Sequence, residues 1–117
     1  MIPIEPSRAI RREFVTNYQL EELPAWTEEN LNGELRRRTW ASAVRLREMV
    51  SPERLPEVIE LLRAMREDPH HSLLGEIEVS TLMIWSDEPA DWKVFQLLID
   101  RIVDELLHPT NTPPAAR

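Results

Sequence analysis

The stretch DWKVFQLLIDRIVDELL, residues 91–107, decides the fold class of this chain. At about 100° per residue, its apolar side chains fall in one continuous arc of a helix and its charged side chains fall opposite. The arc comprises Trp92, Phe95, Leu98, Ile99, Ile102, Val103 and Leu106. This amphipathic pattern is typical of a helix that packs one face on a core, so it predicts a bundle of helices. It carries no indication of an activity.

The flanks of the stretch also favour a helix. Pro89 suits a first helical turn, and the preceding SDE segment supplies residues that are common at helix starts. His108 stands before Pro109 and is thereby disfavoured in the helical region, which predicts the end of the helix there. Two apolar residues, Val94 and Leu97, lie on the polar side. Either a neighbouring helix covers them or they form an exposed contact, and we favour the first interpretation.

Composition narrows the class of protein. The 117 residues suffice for one domain with its own core, and the absence of cysteine excludes disulfide scaffolds, thiol catalysis and cysteine-based zinc sites. No apolar run approaches the roughly 20 residues of a membrane span and no secretory signal is present, so we expect a cytoplasmic protein. Ten prolines against two glycines favour helices separated by proline-marked turns. Arginine far outnumbers lysine, which suggests a GC-rich, bacterial genome.

Charge is distributed unevenly along the chain. Residues 1–67 carry eleven arginines and twelve acids, a net charge of −1, whereas residues 68–117 carry nine acids and three bases, a net charge of −6. Such a two-ended surface suits docking to a charged protein partner or head-to-tail self-association. Ordinary solubility charge explains it equally well.

Four further segments are predicted to be helical: residues 8–22, 27–50, 56–67 and 68–85. The first has a thin apolar stripe of Ile10, Phe14 and Tyr18 and also alternates partly like a strand. The second has a break at residues 32–33. Its core face is Leu31, Leu35, Thr39, Ala43, Leu46, Met49 and Val50. The third has the clean stripe Leu55, Val58, Ile59, Leu61, Leu62 and Met65.

The segment 68–85 has two interpretations. Asp68 and Pro69 resemble a helix start, and apolar residues on both sides, Val79 among them, predict a central helix. Residues 76–85 are also rich in β-branched residues and half alternate, as in a strand. We prefer the helix because a lone strand would have no partner strand in so helical a chain.

These segments together predict an all-α protein, a compact bundle of four to five helices. Residues 7–107 form the single helical domain, residues 1–6 an extended N-terminal segment, and residues 108–117 a tail that is disordered by composition.

No catalytic or metal-binding set emerges from the sequence. His70 and His71 are adjacent, and adjacent residues diverge by about 100° on a helix, whereas a metal needs three or four converging ligands. The carboxylates map to solvent faces or helix starts, and no nucleophile elbow or phosphate-binding glycine loop is present. We therefore expect no enzyme activity, no catalytic residue, no metal and no cofactor.

The candidate binding surface lies on the second predicted helix. Trp40 points away from the core face, with Val44 beside it and Arg36, Arg37 and Arg47 around it. Tryptophan and arginine are the residue types that most often dominate protein interfaces. The competing interpretation is that another part of the domain covers Trp40, or that an arginine merely stacks on it.

The expected function is that of a small, non-enzymatic helical protein-interaction module, with no membrane partner. It would act as an adaptor, an assembly factor or an inhibitor of a larger partner protein, and it would also be able to form a homo-oligomer. The alternative is a helical nucleic-acid-binding regulator that uses residues 36–47, with a helix in the major groove. The net charge of −7 opposes nucleic-acid binding.

Overall fold

Five α-helices make up the domain in the computed structural model, which describes residues 2–18, 33–81 and 84–114. The helices are α1 Pro6–Asn17, α2 Glu34–Met49, α3 Leu55–Glu67, α4 Ser72–Thr81 and α5 Pro89–Leu107. A single 3-10 turn, Pro52–Arg54, precedes α3, and no strand occurs in the ranges described. The predicted all-α bundle is therefore confirmed.

Helix α5 forms one wall of the core, packed against α2 and α3. Its predicted apolar arc is buried apart from Trp92, which packs on the core while partly exposed. Val94 is only 6 % exposed and Leu97 is half-buried against the core. Both residues therefore pack on the core, and they do not form the exposed contact that was the second interpretation.

Helix α1 closes the other side of the core, where it packs against α2, α3 and α4. The predicted stripe Ile10, Phe14 and Tyr18 is fully buried, and the rings of Phe14 and Tyr18 stack with centroids 4.9 Å apart. The helix begins at Pro6, one residue inside the segment predicted to be extended. It ends at Asn17, and residues 19–22 of the predicted helix lie outside the described ranges.

Helix α4 is shorter than predicted. Asp68 does not cap it; the Asp68 carboxylate instead accepts a hydrogen bond from the His70 backbone N–H at 2.9 Å, and α4 begins two residues after His70. The helical interpretation is confirmed for residues 76–81, whereas residues 82–83 lie outside the described ranges. Trp85 is not helical, because its backbone N–H donates to the Glu78 carboxylate at 2.8 Å and the chain turns back there.

The prediction that this helix is central is wrong. Val79 is 78 % exposed, and α4 packs mainly against α1 at the edge of the bundle. The apolar residues Leu73, Leu74 and Ile77 provide one sufficient buried face. No described helix is long and apolar enough to span a membrane.

Candidate functional site

Helix α2 presents one buried face and one outer face. Leu35 and Leu46 are fully buried, and the Thr39 hydroxyl donates to the Leu35 carbonyl at 2.8 Å, which satisfies that polar group inside the core. The predicted core face of the helix is thus confirmed for its described residues; Leu31 lies outside them. The outer face carries the five residues that the sequence singled out, which we call the α2 strip: Arg36, Arg37, Trp40, Val44 and Arg47.

Trp40 is half-buried, but it is not a core residue. Neither Trp40 nor Val44 belongs to the described hydrophobic core or to the side chains that pack on it. The indole Nε1–H of Trp40 donates a 2.8 Å hydrogen bond to the backbone carbonyl of Thr110, which follows α5. The segment after α5 therefore contacts Trp40 within the domain.

The Glu105 carboxylate is a second anchor of the segment after α5. Glu105 accepts two hydrogen bonds from Thr110, one from the backbone N–H at 3.2 Å and one from the side-chain hydroxyl at 3.1 Å. Pro114, further along, lines a depression of about 120 Å³ together with Arg36 and Arg101. Residues 115–117 of the predicted tail lie outside the described ranges. Residues 108–114 thus approach the α2 strip along one edge.

Arg47 contributes to the helix–helix packing. Its guanidinium donates to the backbone carbonyl of Glu105 in the last turn of α5. Carbonyls at a helix C-terminus lack partners within the helix and carry partial negative charge, so a cation there is favourable. Arg47 therefore fixes α5 against α2, and it is only partly available to a binding partner.

Arg36 and Arg37 are both exposed and lie on different flanks of the α2 strip. Burial lowers the pKa of Arg101, and the positive charge of neighbouring Arg36 lowers it further. Arg37 lines a separate depression of about 320 Å³ between α1 and α2, next to Arg38 and Arg45. Among the described residues no carboxylate forms an ion pair with Arg36 or Arg37.

A buried polar cluster beneath this second depression was missed by the sequence analysis. Glu13 is 1 % exposed, and its carboxylate accepts two hydrogen bonds of 2.8 Å from Arg45 and one of 2.6 Å from the Ser42 hydroxyl. Ser42 also lies 2.7 Å from the Tyr18 hydroxyl. Because Ser42 gives its proton to Glu13, Tyr18 is the donor to Ser42. Burial raises the pKa of Tyr18 above its ordinary range.

The cluster has a structural role that its geometry explains. It joins α1 to α2 through charge-assisted hydrogen bonds, and these bonds raise the pKa of Arg45. The sequence carries no signal for this cluster, because the burial of Glu13 depends on α2 placing the donors Ser42 and Arg45 opposite α1. Asn17 also donates to the Glu13 carboxylate, at 3.1 Å.

The histidine pair lies apart from the α2 strip. His71 Nδ1 accepts a hydrogen bond from the Leu73 backbone N–H at 3.1 Å, at the start of α4. In the described ranges, no three residues of the metal-ligating types converge. Comparisons of the chain with protein-family models, with curated proteins and with solved structures gave no match.

Proposed function

We propose that this protein is a non-enzymatic protein-interaction module and that the α2 strip is its binding surface. The observation that carries the proposal is the position of Trp40. Its indole is half-buried, lies outside the described core and already donates a hydrogen bond to the backbone of the segment after α5. A large aromatic side chain that the core does not require presents apolar area at low entropy cost. The proposed role is that of an adaptor, an assembly factor or an inhibitor of a larger cytoplasmic protein.

The charges around Trp40 favour an acidic partner. Arg36 and Arg37 are exposed beside it, and neither forms an ion pair with a carboxylate in the part of the chain that the structure describes. Arginine forms bidentate hydrogen bonds with carboxylates, so these side chains can both attract and orient an acidic surface. Rim charges of this kind mainly accelerate association and make its rate dependent on salt.

Affinity capture from an extract of the source organism tests the proposal. The full chain is immobilised, bound proteins are identified, and the Kd of each purified candidate is measured. We expect Trp40→Ala to weaken binding by about 2 kcal/mol or more, which is roughly a thirtyfold rise in Kd. The double substitution Arg36→Glu/Arg37→Glu should slow association.

A charge-matched control separates the α2 strip from general electrostatics. Arg8 and Arg11 are also exposed but lie on α1, so Arg8→Glu/Arg11→Glu makes the same change in net charge elsewhere. The control should leave the affinity nearly unchanged. If it weakens binding as much as the α2 double substitution, or if Trp40→Ala has no effect, the α2 strip is not the binding surface.

A nucleic-acid-binding regulator is the second candidate. The exposed arginines of α2 favour it, since phosphate neutralisation depends on such side chains. The acidic residues Asp104 and Glu105, which line the same depression as Arg36, oppose it, as does the net charge of −7. Binding to duplex DNA that weakens steeply with salt and is lost in Arg36→Glu/Arg37→Glu would favour this candidate over the first.

A further inference from the structure

We propose that the α2 strip binds non-helical, proline-containing segments of a partner protein, and that the chain's own residues 109–114 occupy the same place as an internal competitor. This inference rests on the proposed function and specifies the chemistry of the partner. Its starting point is the hydrogen bond by which the segment after α5 is already attached to Trp40.

The contact is made to the peptide backbone. Trp40 donates to the carbonyl of Thr110 across a separation of 70 residues in sequence, and this hydrogen bond does not involve the Thr110 side chain. Any segment that presents a free carbonyl in that position can therefore accept the same hydrogen bond. Recognition of this kind is used where aromatic side chains bind proline-rich peptides.

Proline makes such a segment a suitable ligand. The tail sequence PTNTPP contains Pro109, Pro113 and Pro114. Because proline has no backbone N–H and a fixed φ, a proline-rich segment forms no helix, keeps its carbonyls available and loses little conformational entropy on binding. Pro114 is half-buried in the depression beside Arg36, so the contact continues beyond Trp40.

The exposure of the internal segment favours its displacement by a partner. Residues 109–113 are exposed, and Thr110 is attached to Glu105 by hydrogen bonds of 3.2 and 3.1 Å at the surface, where water competes for both groups. The tether is short, so the effective concentration of the tail at Trp40 is on the order of millimolar. A partner segment therefore binds well only when it binds Trp40 more tightly than the tethered tail does, or when the tail is released.

The test uses the full chain with Thr110→Asp, which places a second carboxylate beside that of Glu105 and is expected to release the tail by charge repulsion. The four tryptophans give four indole N–H cross-peaks in a nitrogen–proton correlation spectrum, and Trp40→Phe identifies the one from Trp40. The probes are the synthetic peptide HPTNTPPAAR, which is residues 108–117, and the same peptide with both Pro113 and Pro114 replaced by alanine.

The expected result has three parts. Thr110→Asp shifts the Trp40 cross-peak, and the proline-containing peptide returns the cross-peak toward its wild-type position. For the same return, the alanine peptide must be present at a concentration at least about tenfold higher. In the wild-type chain, the internal tail should raise the required peptide concentration toward the millimolar range.

Three results would overturn the inference. The first is a Trp40 cross-peak that does not move in Thr110→Asp. The second is a shifted cross-peak that does not return at about 1 mM of the proline-containing peptide. The third is an equal return at equal concentrations of the two peptides. Failure here is distinct from failure of the proposed function. Loss of partner capture in Trp40→Ala together with no peptide response would retain the α2 strip as a binding surface and reject only the proline-containing ligand.

Discussion

At the scale of single residues, the buried carboxylate of Glu13 distinguishes this core from a purely apolar one. Its oxygens accept bonds from Arg45, Ser42 and Asn17, which replace the water that burial removes. Periodicity alone treats every glutamate as a solvent-facing residue, so the sequence could not predict this arrangement. It depends on α2 placing its donors opposite α1.

The Glu13–Arg45 pair makes a measurable contribution to stability. We expect Arg45→Ala to lower the free energy of unfolding by about 2–3 kcal/mol, less than for a fully buried pair because the Arg45 side chain is 41 % exposed. Urea unfolding measures this change. Arg54→Ala, which removes a surface pair with Glu57, is the control and should leave the midpoint nearly unchanged. Equal losses in both variants would contradict a special role for Glu13.

Tyr18 predicts how stability depends on alkaline pH. Burial raises the pKa of its phenol in the folded state, whereas the unfolded chain ionises near pH 10. Above about pH 10 the unfolded state therefore binds fewer protons than the folded state, and stability should fall by up to about 1.4 kcal/mol per pH unit. Tyr18→Phe should remove this part of the slope.

The same residue provides an optical check. Tyr18 is the only tyrosine, so phenolate absorbance reports on it alone. The absorbance should appear together with the loss of helical circular dichroism as the pH rises. Phenolate that forms near pH 10 while the helices remain intact would contradict the burial argument.

At the scale of elements, α5 was the most predictable part of the chain because its apolar residues repeat over about four helical turns. What its sequence could not decide was the status of Val94 and Leu97, since a residue outside the main arc is buried only if a second helix reaches it. In the structure Val94 belongs to the core and Leu97 packs against it.

Aspartate substitutions along α5 measure how far the cover extends. Leu98 is fully buried and Val94 nearly so, whereas Leu97 is half-buried. An unpaired buried carboxylate costs several kcal/mol, which is comparable with the whole stability of a domain this size. We expect Leu98→Asp and Val94→Asp to unfold the chain and Leu97→Asp to remain folded with a lower melting temperature. Unfolding of all three variants would show that α5 is buried all round.

Helix α4 contains a glycine that the fold does not require. Gly75 lies inside the helix, and an added Cβ would meet no atom within 4 Å. Because glycine costs a helix interior roughly 0.5–1 kcal/mol relative to alanine, Gly75→Ala should raise the free energy of unfolding by about that amount. Chemical denaturation provides the measurement, and a lower stability would mean that the backbone of Gly75 is needed for a close approach.

The end of α4 shows why its boundary was mispredicted. Apolar residues continue through residues 82–85, so periodicity extends the helix to Trp85. Glu78 instead accepts hydrogen bonds from the backbone N–H groups of Trp85 and Ser86, at 2.8 and 3.2 Å, and the chain bends away. Trp85 is then buried against Phe95 of α5. A polar side chain that binds backbone several residues later leaves no periodic trace in a sequence.

At the scale of the whole molecule, the sequence predicted which residues form the α2 strip but not which parts of the chain contact them. The sequence placed Trp40 and Val44 outside the core face of α2, where the described core also leaves them. The contact between Trp40 and the segment after α5 joins residues 70 positions apart, and local patterns carry no information about such pairs. Arg47 has a partly structural role for the same reason, because its partner is a carbonyl of α5.

The central claim is that Trp40 belongs to a binding surface and not to the core. The most direct measurement is the free energy of unfolding of Trp40→Ala, beside Trp85→Ala as a matched control, since Trp85 is 1 % exposed. We expect Trp85→Ala to lose about 3–5 kcal/mol, as buried tryptophans do. Trp40→Ala should lose only about 1 kcal/mol, the net contribution of one hydrogen bond at the surface. A loss for Trp40→Ala equal to that of Trp85→Ala would place Trp40 in the core and contradict the claim.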